Sequence, residues 1–377
     1  MKCTKKVVFL VAALCVTITT IIYSQFGFNT TPQRSPDGRT DTIWNFKEEQ
    51  WNLSTNIREE EEATCSLREA ARQGHFLGQR FNFSVPVFQW AGSFQKSSWR
   101  RLSKRDPPYG WKGLEVGGVW VVLVLRAALT QLKEPSCGQL LQRGAGDQCV
   151  RCAVVGNGGI LRGSGQGRAI DAHDYVFRMN GAITKGFEDD VGTNTSFYGF
   201  TTNTMKNSLI SYRHYGFTRV PQGEGVRYIF IPSDRRDYVM LAAAIQGQTV
   251  QSGADRGNWT PMYFGSNPSA DKFKILHPDF ISYVTQRFLD SHQLKSQLYM
   301  PSTGALMLMT ALHTCDQVSA YGFITRNYKD FSEHYYNAVW KPLRFFANHD
   351  LQMESWLWES MDHHKVMTLY RRTVNKQ

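Results

Sequence analysis

From Cys152 onward the chain alternates short apolar runs with stretches of helical spacing, and this alternation narrows the possible folds more than any other feature. The runs predict strands at Cys152–Gly156, Tyr175–Met179, Thr195–Phe200, Tyr228–Ile231, Val318–Phe323 and Val366–Tyr370. Helical spacing predicts helices over Arg235–Gln246, Pro278–Leu289, Ser302–Cys315 and Asn348–Met361. Strands that alternate with helices bury both faces of one sheet, so the expected fold is an α/β sandwich around a largely parallel sheet. Ligands then belong at the C-terminal ends of the strands. Upstream, the apolar run 117–125 is too short to span a bilayer, stops at Arg126, and reads as another buried strand.

The N-terminal part has a different character. Lys2, Lys5 and Lys6 precede an uncharged run from Val7 to Tyr23 that exceeds a usual signal-peptide core and lacks a small-x-small cleavage site. We therefore expect a cytosolic tail over 1–6, a signal-anchor helix within 7–28, and the rest of the chain in the secretory lumen. A run of this length reaches about 26 Å as a helix, which suits a thin early-secretory bilayer and a single-pass type II protein of the Golgi membrane. Residues 29–64 are polar, with Pro32, Pro36 and the acidic run Glu59 to Glu62, and read as a luminal stem. Residues 65–377 make one luminal domain.

Five cysteines lie on the luminal side: Cys65, Cys137, Cys149, Cys152 and Cys315. Cys149 and Cys152 form a C-x-x-C, but no second pair completes a zinc site, so in an oxidising lumen they read as half-cystines with separate partners. Asn52, Asn82, Asn194 and Asn258 are N-glycosylation triplets, consistent with luminal exposure. The net charge of +11 is spread along the chain rather than gathered in blocks. That argues against nucleic-acid binding and leaves acidic substrates open.

Three stretches could carry chemistry. The loop Gly156-Asn157-Gly158-Gly159 follows the first strand, where glycines admit a close ligand, although an ordinary turn explains it equally well. The dinucleotide fingerprint is broken, because Leu161 stands where its third glycine belongs. Pro301-Ser302-Thr303-Gly304 opens an apolar helix, so two hydroxyls and free N–H groups meet at the positive end of a helix dipole. A plain N-cap is the commoner use of such residues. Asn348-His349-Asp350 begins the last long helix, and an imidazole there stays neutral as a candidate base. Glu354, five residues on, is turned about 140° from it and reads as a brace against a neighbouring element. His334-Tyr335-Tyr336 is a further polar-aromatic cluster.

Taken together, these stretches resemble the motifs of the animal CMP-sialic-acid-dependent sialyltransferases, in the same order. They run from Cys152 to Gly159 with Arg178-Met179-Asn180 and Asp190 to Thr193, through Pro301 to Gly304 with Tyr321-Gly322-Phe323, to His334 to Asn337, and finally His349 with Glu354. The segments Phe197 to Leu209, Ile231 to Asp234 and His277 to Tyr283 resemble the group that forms α-2,6 linkages to N-acetylgalactosamine on Ser or Thr. The resemblance implies a variant glycosyltransferase-A, Rossmann-like fold, an inverting single displacement, CMP-sialic acid as donor, glycoprotein acceptors, and neither metal nor other cofactor. It implies a Cys152–Cys315 cystine, and a second bridge of Cys65 with Cys149 would leave Cys137 over. For the site it implies Asn157 and Asn180 on the nucleotide, and Ser302, Thr303 and Gly304 at the CMP end. Tyr321, Gly322, Phe323 and Tyr335 would line the donor pocket, His334 would support the phosphate and His349 would act as base. Asn337 stands where the family's third motif often has an acid, and Glu115 to Lys133 departs from its counterpart. A nucleotide-dependent oxidoreductase and a membrane lectin without turnover are the competing readings, the first disfavoured by the broken glycine fingerprint.

Overall fold

The computed structural model describes residues 67–73, 79–113, 119–133, 149–291 and 299–373. The expected tail, anchor and stem, with Cys65 and Asn52, lie outside the described residues, as does Cys137. Among the described residues no helix is long and apolar enough to cross a membrane.

Seven strands form a single sheet: β1 (Arg151–Val155), β2 (Tyr175–Met179), β3 (Phe197–Phe200), β4 (Arg227–Phe230), β5 (Phe273–Ile275), β6 (Gln317–Tyr321) and β7 (Thr368–Leu369). Their order is β5-β4-β3-β2-β1-β6-β7, and every pairing is parallel. Successive residues serve opposite faces: Ala153, Val155, Tyr198 and Phe200 enter one apolar cluster, and Cys152, Val154, Phe177 and Phe197 enter the other. Burial on both faces explains why the strands read as unbroken apolar runs.

The first face is covered by α1 (Val119–Thr130), α2 (Thr202–Ser211) and α3 (Arg235–Ile245), the second by α4 (Pro278–Arg287), α5 (Thr303–Thr314) and α6 (Leu351–His363). Several starts are capped from the sequence. Asp234 accepts from Arg236 N at 3.0 Å at the head of α3, and Asp350 accepts from Met353 N at 3.0 Å at the head of α6. Thr201 and Thr204 exchange side-chain bonds at 2.9 Å to start α2, a helix whose polar sequence hides it from hydrophobic patterning.

The run 117–125 corrects the expectation of a strand, since α1 is a helix. Leu125, Ala128, Leu129 and Leu132 are buried at helical spacing and α1 packs on α3, so the period continues past Arg126, where the apolar run seemed to stop. β5 was missed as well, a three-residue edge strand interrupted by the half-buried Lys274.

The Cys152–Cys315 cystine is present, with α-carbons 6.2 Å apart. Cys149 is disulfide-bonded as well.

Candidate active site at the turning point of the sheet

Strand order runs one way from β1 through β5 and the other way through β6 and β7, so the sheet's topological switch lies between β1 and β6. Open parallel sheets bind ligands at this point, outside the C-terminal strand ends. A cleft of about 300 Å³ lies there, lined by the segments following β1, β2 and β6 and by the starts of α5 and α6.

The glycine loop after β1 owes its composition to a neighbouring backbone. Gly156 N donates to Tyr321 O at 2.7 Å, and Gly158 N donates to Gly322 O at 3.0 Å. A β-carbon on Gly158 would stand 2.6 Å from Gly322 O, and Gly322 itself has φ +70°. The two loops interlock, and the floor of the cleft is backbone.

Asn157 Nδ2 donates to Met179 O at 3.1 Å, tying this floor to the end of β2. The next residue, Asn180, takes φ +53°, and its side-chain oxygen is buried without a protein partner while the residue lines the cleft. An orphaned acceptor in a cavity calls for a ligand donor.

Ser302 caps α5, accepting from Ala305 N at 3.0 Å, and donates both N–H (2.9 Å) and Oγ–H (2.7 Å) to the carboxyl of Glu354. Glu354 is 3% exposed, and burial pushes its carboxyl up to about 7. The brace expected of Glu354 is thus on Ser302. This leaves the Ser302 hydroxyl engaged, so Thr303 and Gly304 present the freer part of the helix start to the cleft.

His349 sits just ahead of α6. Its Nδ1 bonds Met300 O at 2.8 Å, which assigns the proton to Nδ1 and leaves the lone pair on Nε2, 3.3 Å from Asn348 Nδ2. Burial lowers its pKa against the opposing pull of the Met300 carbonyl, so the ring is neutral at neutral pH. His334 stacks on Tyr336 at 4.9 Å and meets the edge of Tyr212 at 5.2 Å. Burial, reinforced by the Lys341 charge, brings it down to about 4, so it is an uncharged hydrogen-bonding group.

Asn157, Asn180, Ser302, Thr303, Gly304, Gly322, Phe323, His334 and His349 therefore share one cleft. Tyr321 and Tyr335 do not line it, which corrects the expectation for both. Tyr321 packs on Tyr370 and His173, whereas Tyr335 is buried and donates its hydroxyl to Ile183 O. They shape the wall from behind. Thr204 and Tyr212, which do line the cleft, were missed; the Thr201-x-x-Thr204 capping pattern was the available signal for Thr204.

Of the glycosylation triplets, Asn82 and Asn194 are exposed. Asn258 is half-buried. Its Nδ2 donates to Asp255 O at 2.7 Å, its oxygen accepts from Lys206 and Tyr263, and Thr260 is buried, so the folded chain offers no free amide there. Among the described residues no group of three or more His, Cys, Asp or Glu side chains could hold a metal ion.

The sequence matches glycosyltransferase family 29 (sialyltransferase) over residues 88–366. It is 56% identical over 312 residues to the mouse alpha-N-acetylgalactosaminide alpha-2,6-sialyltransferase 2, covering 81% of this chain and 82% of that one. The human protein of the same name is 57% identical over 306 residues, 80% of each chain. A mammalian sialyltransferase crystal structure superimposes with a TM-score of 0.58 at 26% identity, over 82% of this chain and 98% of the other. The chain with its cleft at the switch between β1 and β6 belongs to the family 29 sialyltransferases.

Proposed function

We propose that the chain transfers sialic acid from CMP-sialic acid to the 6-hydroxyl of N-acetylgalactosamine O-linked to Ser or Thr. The observation that carries the acceptor assignment is the 56% and 57% identity to mouse and human enzymes named for that acceptor and linkage.

The donor nucleotide lies over the interlocked floor, with Asn157 and the unpaired Asn180 oxygen turned to it. Its phosphate faces the start of α5, where the free N–H groups, the helix dipole and His334 as an uncharged donor stabilise the charge that builds up as CMP departs. His349 Nε2 displaces its weak Asn348 contact and takes the proton from the acceptor 6-hydroxyl. The hydroxyl oxygen then bonds to the anomeric carbon, and the carbon–oxygen bond to the phosphate breaks with its electron pair leaving on CMP. One displacement inverts the anomeric centre. Charge is absorbed by the protein's own donors, so we expect turnover without a divalent ion.

The uncharged run behind Lys2, Lys5 and Lys6 supports a type II Golgi membrane protein with this domain in the lumen. The test is transfer by the full chain from CMP-sialic acid to a GalNAc-Ser/Thr glycopeptide with EDTA present. We expect an α-2,6 product, and absence of turnover on every O-glycan acceptor overturns the reading.

A further inference from the structure

A second cleft, of about 460 Å³, opens between the segments that follow β3 and β4. It is lined by Asn203 in the first turn of α2, by residues 233–237 at the start of α3, and by residues 252–255. Nothing in the transfer chemistry above uses it.

Its hydrogen-bonding inventory is lopsided. The carboxylates around it are already engaged. Asp255, 2% exposed, accepts from Lys206 Nζ at 2.7 Å and from two nitrogens of Arg236. Asp237, 1% exposed, accepts from Thr202 N at 2.6 Å, Ser233 Oγ at 3.0 Å and Asp234 N at 3.0 Å. Asp234 is engaged in capping α3. Donors, by contrast, are left over. The Asn203 side-chain oxygen accepts from Arg236 at 3.1 Å, which leaves its Nδ2 to give. The Arg235 guanidinium is exposed and has no ion-pair or hydrogen-bond partner among the described residues. The two buried carboxylates are paired and only the exposed Asp234 keeps an oxygen free, so the spare donors of Asn203 and Arg235 suit an incoming acceptor group, and the flat fork of arginine matches a carboxylate best.

Its position says which substrate brings that group. Asn203 lines this cleft and Thr204 lines the donor cleft, and consecutive α-carbons are only ~3.8 Å apart. The donor is held across the β1–β6 switch, on the far side of β2. With the donor assigned to the cleft at the β1–β6 switch, the acceptor is the substrate left to reach into the neighbouring cleft on the β3–β4 side.

We propose that this second cleft is an acceptor subsite in which Arg235 binds a carboxylate close to the modified GalNAc, from either an acidic side chain of the polypeptide or an acidic sugar of the same glycan. The proposal rests on the acceptor reading given above. The test compares the full chain with Arg235→Ala on three GalNAc glycopeptides: neutral, carrying a neighbouring Glu, and carrying an acidic sugar. We expect the KM for at least one acidic acceptor to rise about 5- to 10-fold at low salt, with the neutral acceptor and CMP-sialic acid unchanged, and Arg235→Lys to fall between. The acidic acceptor that moves identifies the source. An equal change on all three, or none on either acidic acceptor, overturns the proposal. The same glycopeptides are titrated against each variant with CMP bound and no turnover, so the subsite stands or falls on the binding difference even if transfer to GalNAc fails.

Discussion

The two walls of the cleft at the β1–β6 switch are built in opposite ways. On the β1–β6 side, backbone meets backbone: Gly156 and Gly158 bond to residues 321 and 322, and the Cys152–Cys315 cystine lies beneath them. On the other side, residues 337–350 contain neither helix nor strand and carry exposed Val339, Trp340, Phe345 and Phe346. This strap is tied down at a few points, such as Lys341 N to Ser332 Oγ at 3.0 Å and the Asn348 carbonyl to Met300 N at 3.1 Å. His349 stands where the strap ends and α6 begins. The comparison teaches that the floor of the cleft is a backbone surface, while the proposed base is positioned from outside its own segment, by the Met300 carbonyl.

The largest expected effect falls on the strap side. His349→Ala should lower the transfer rate by about 10²–10⁴-fold while CMP affinity, measured by calorimetry, is kept. Parallel losses of both would mean that the two walls are not separable. On the rigid side, replacing Cys152 and Cys315 by Ser should cost about 2–5 kcal/mol in denaturant unfolding. Glu354, which joins the walls through Ser302, makes stability depend on pH. Its carboxyl is raised from 4.5 to about 7, so the folded state holds the proton more tightly than the unfolded state. The resulting stabilisation is complete below about 4.5 and disappears as pH rises through 7, amounting to up to about 3 kcal/mol. Glu354→Gln should flatten that slope, and an unchanged slope would assign it to another group. Gly322→Ala, at φ +70° with its β-carbon 2.7 Å from Gly156 O, should cost about 1–3 kcal/mol and weaken CMP binding. The smallest effect is expected at Val339, 74% exposed, where Ser should change stability by less than about 0.5 kcal/mol.

The parallel sheet was legible because strands buried on both faces must be apolar throughout, and the start of α5 was legible where Ser302 announces a cap. What failed depended on partners distant in sequence. Val119–Thr130 is apolar enough for either state, and only its packing against α3 decides for helix. Tyr321 and Tyr335 belong to motif stretches, yet alternation within a strand and a hydroxyl spent on Ile183 turn them into the core. Asn258 satisfies a three-residue pattern that cannot register Lys206, Tyr263 and Asp255 closing around the amide. The glycine loop was found but not explained, since its reason lies about 165 residues away at Gly322.

The strand order also bears on how the chain is made. β1 takes β2 on one edge early, but its other edge waits for β6, and the two cysteines that link these segments are 163 residues apart. At ~5–20 residues per second, a ribosome leaves that edge without its strand for roughly 10–30 s. A bare edge of apolar, two-sided strand is a template for wrong partners. The cleft therefore comes into existence near the end of synthesis, and newly made chains are most exposed to misassembly at the place proposed for the donor.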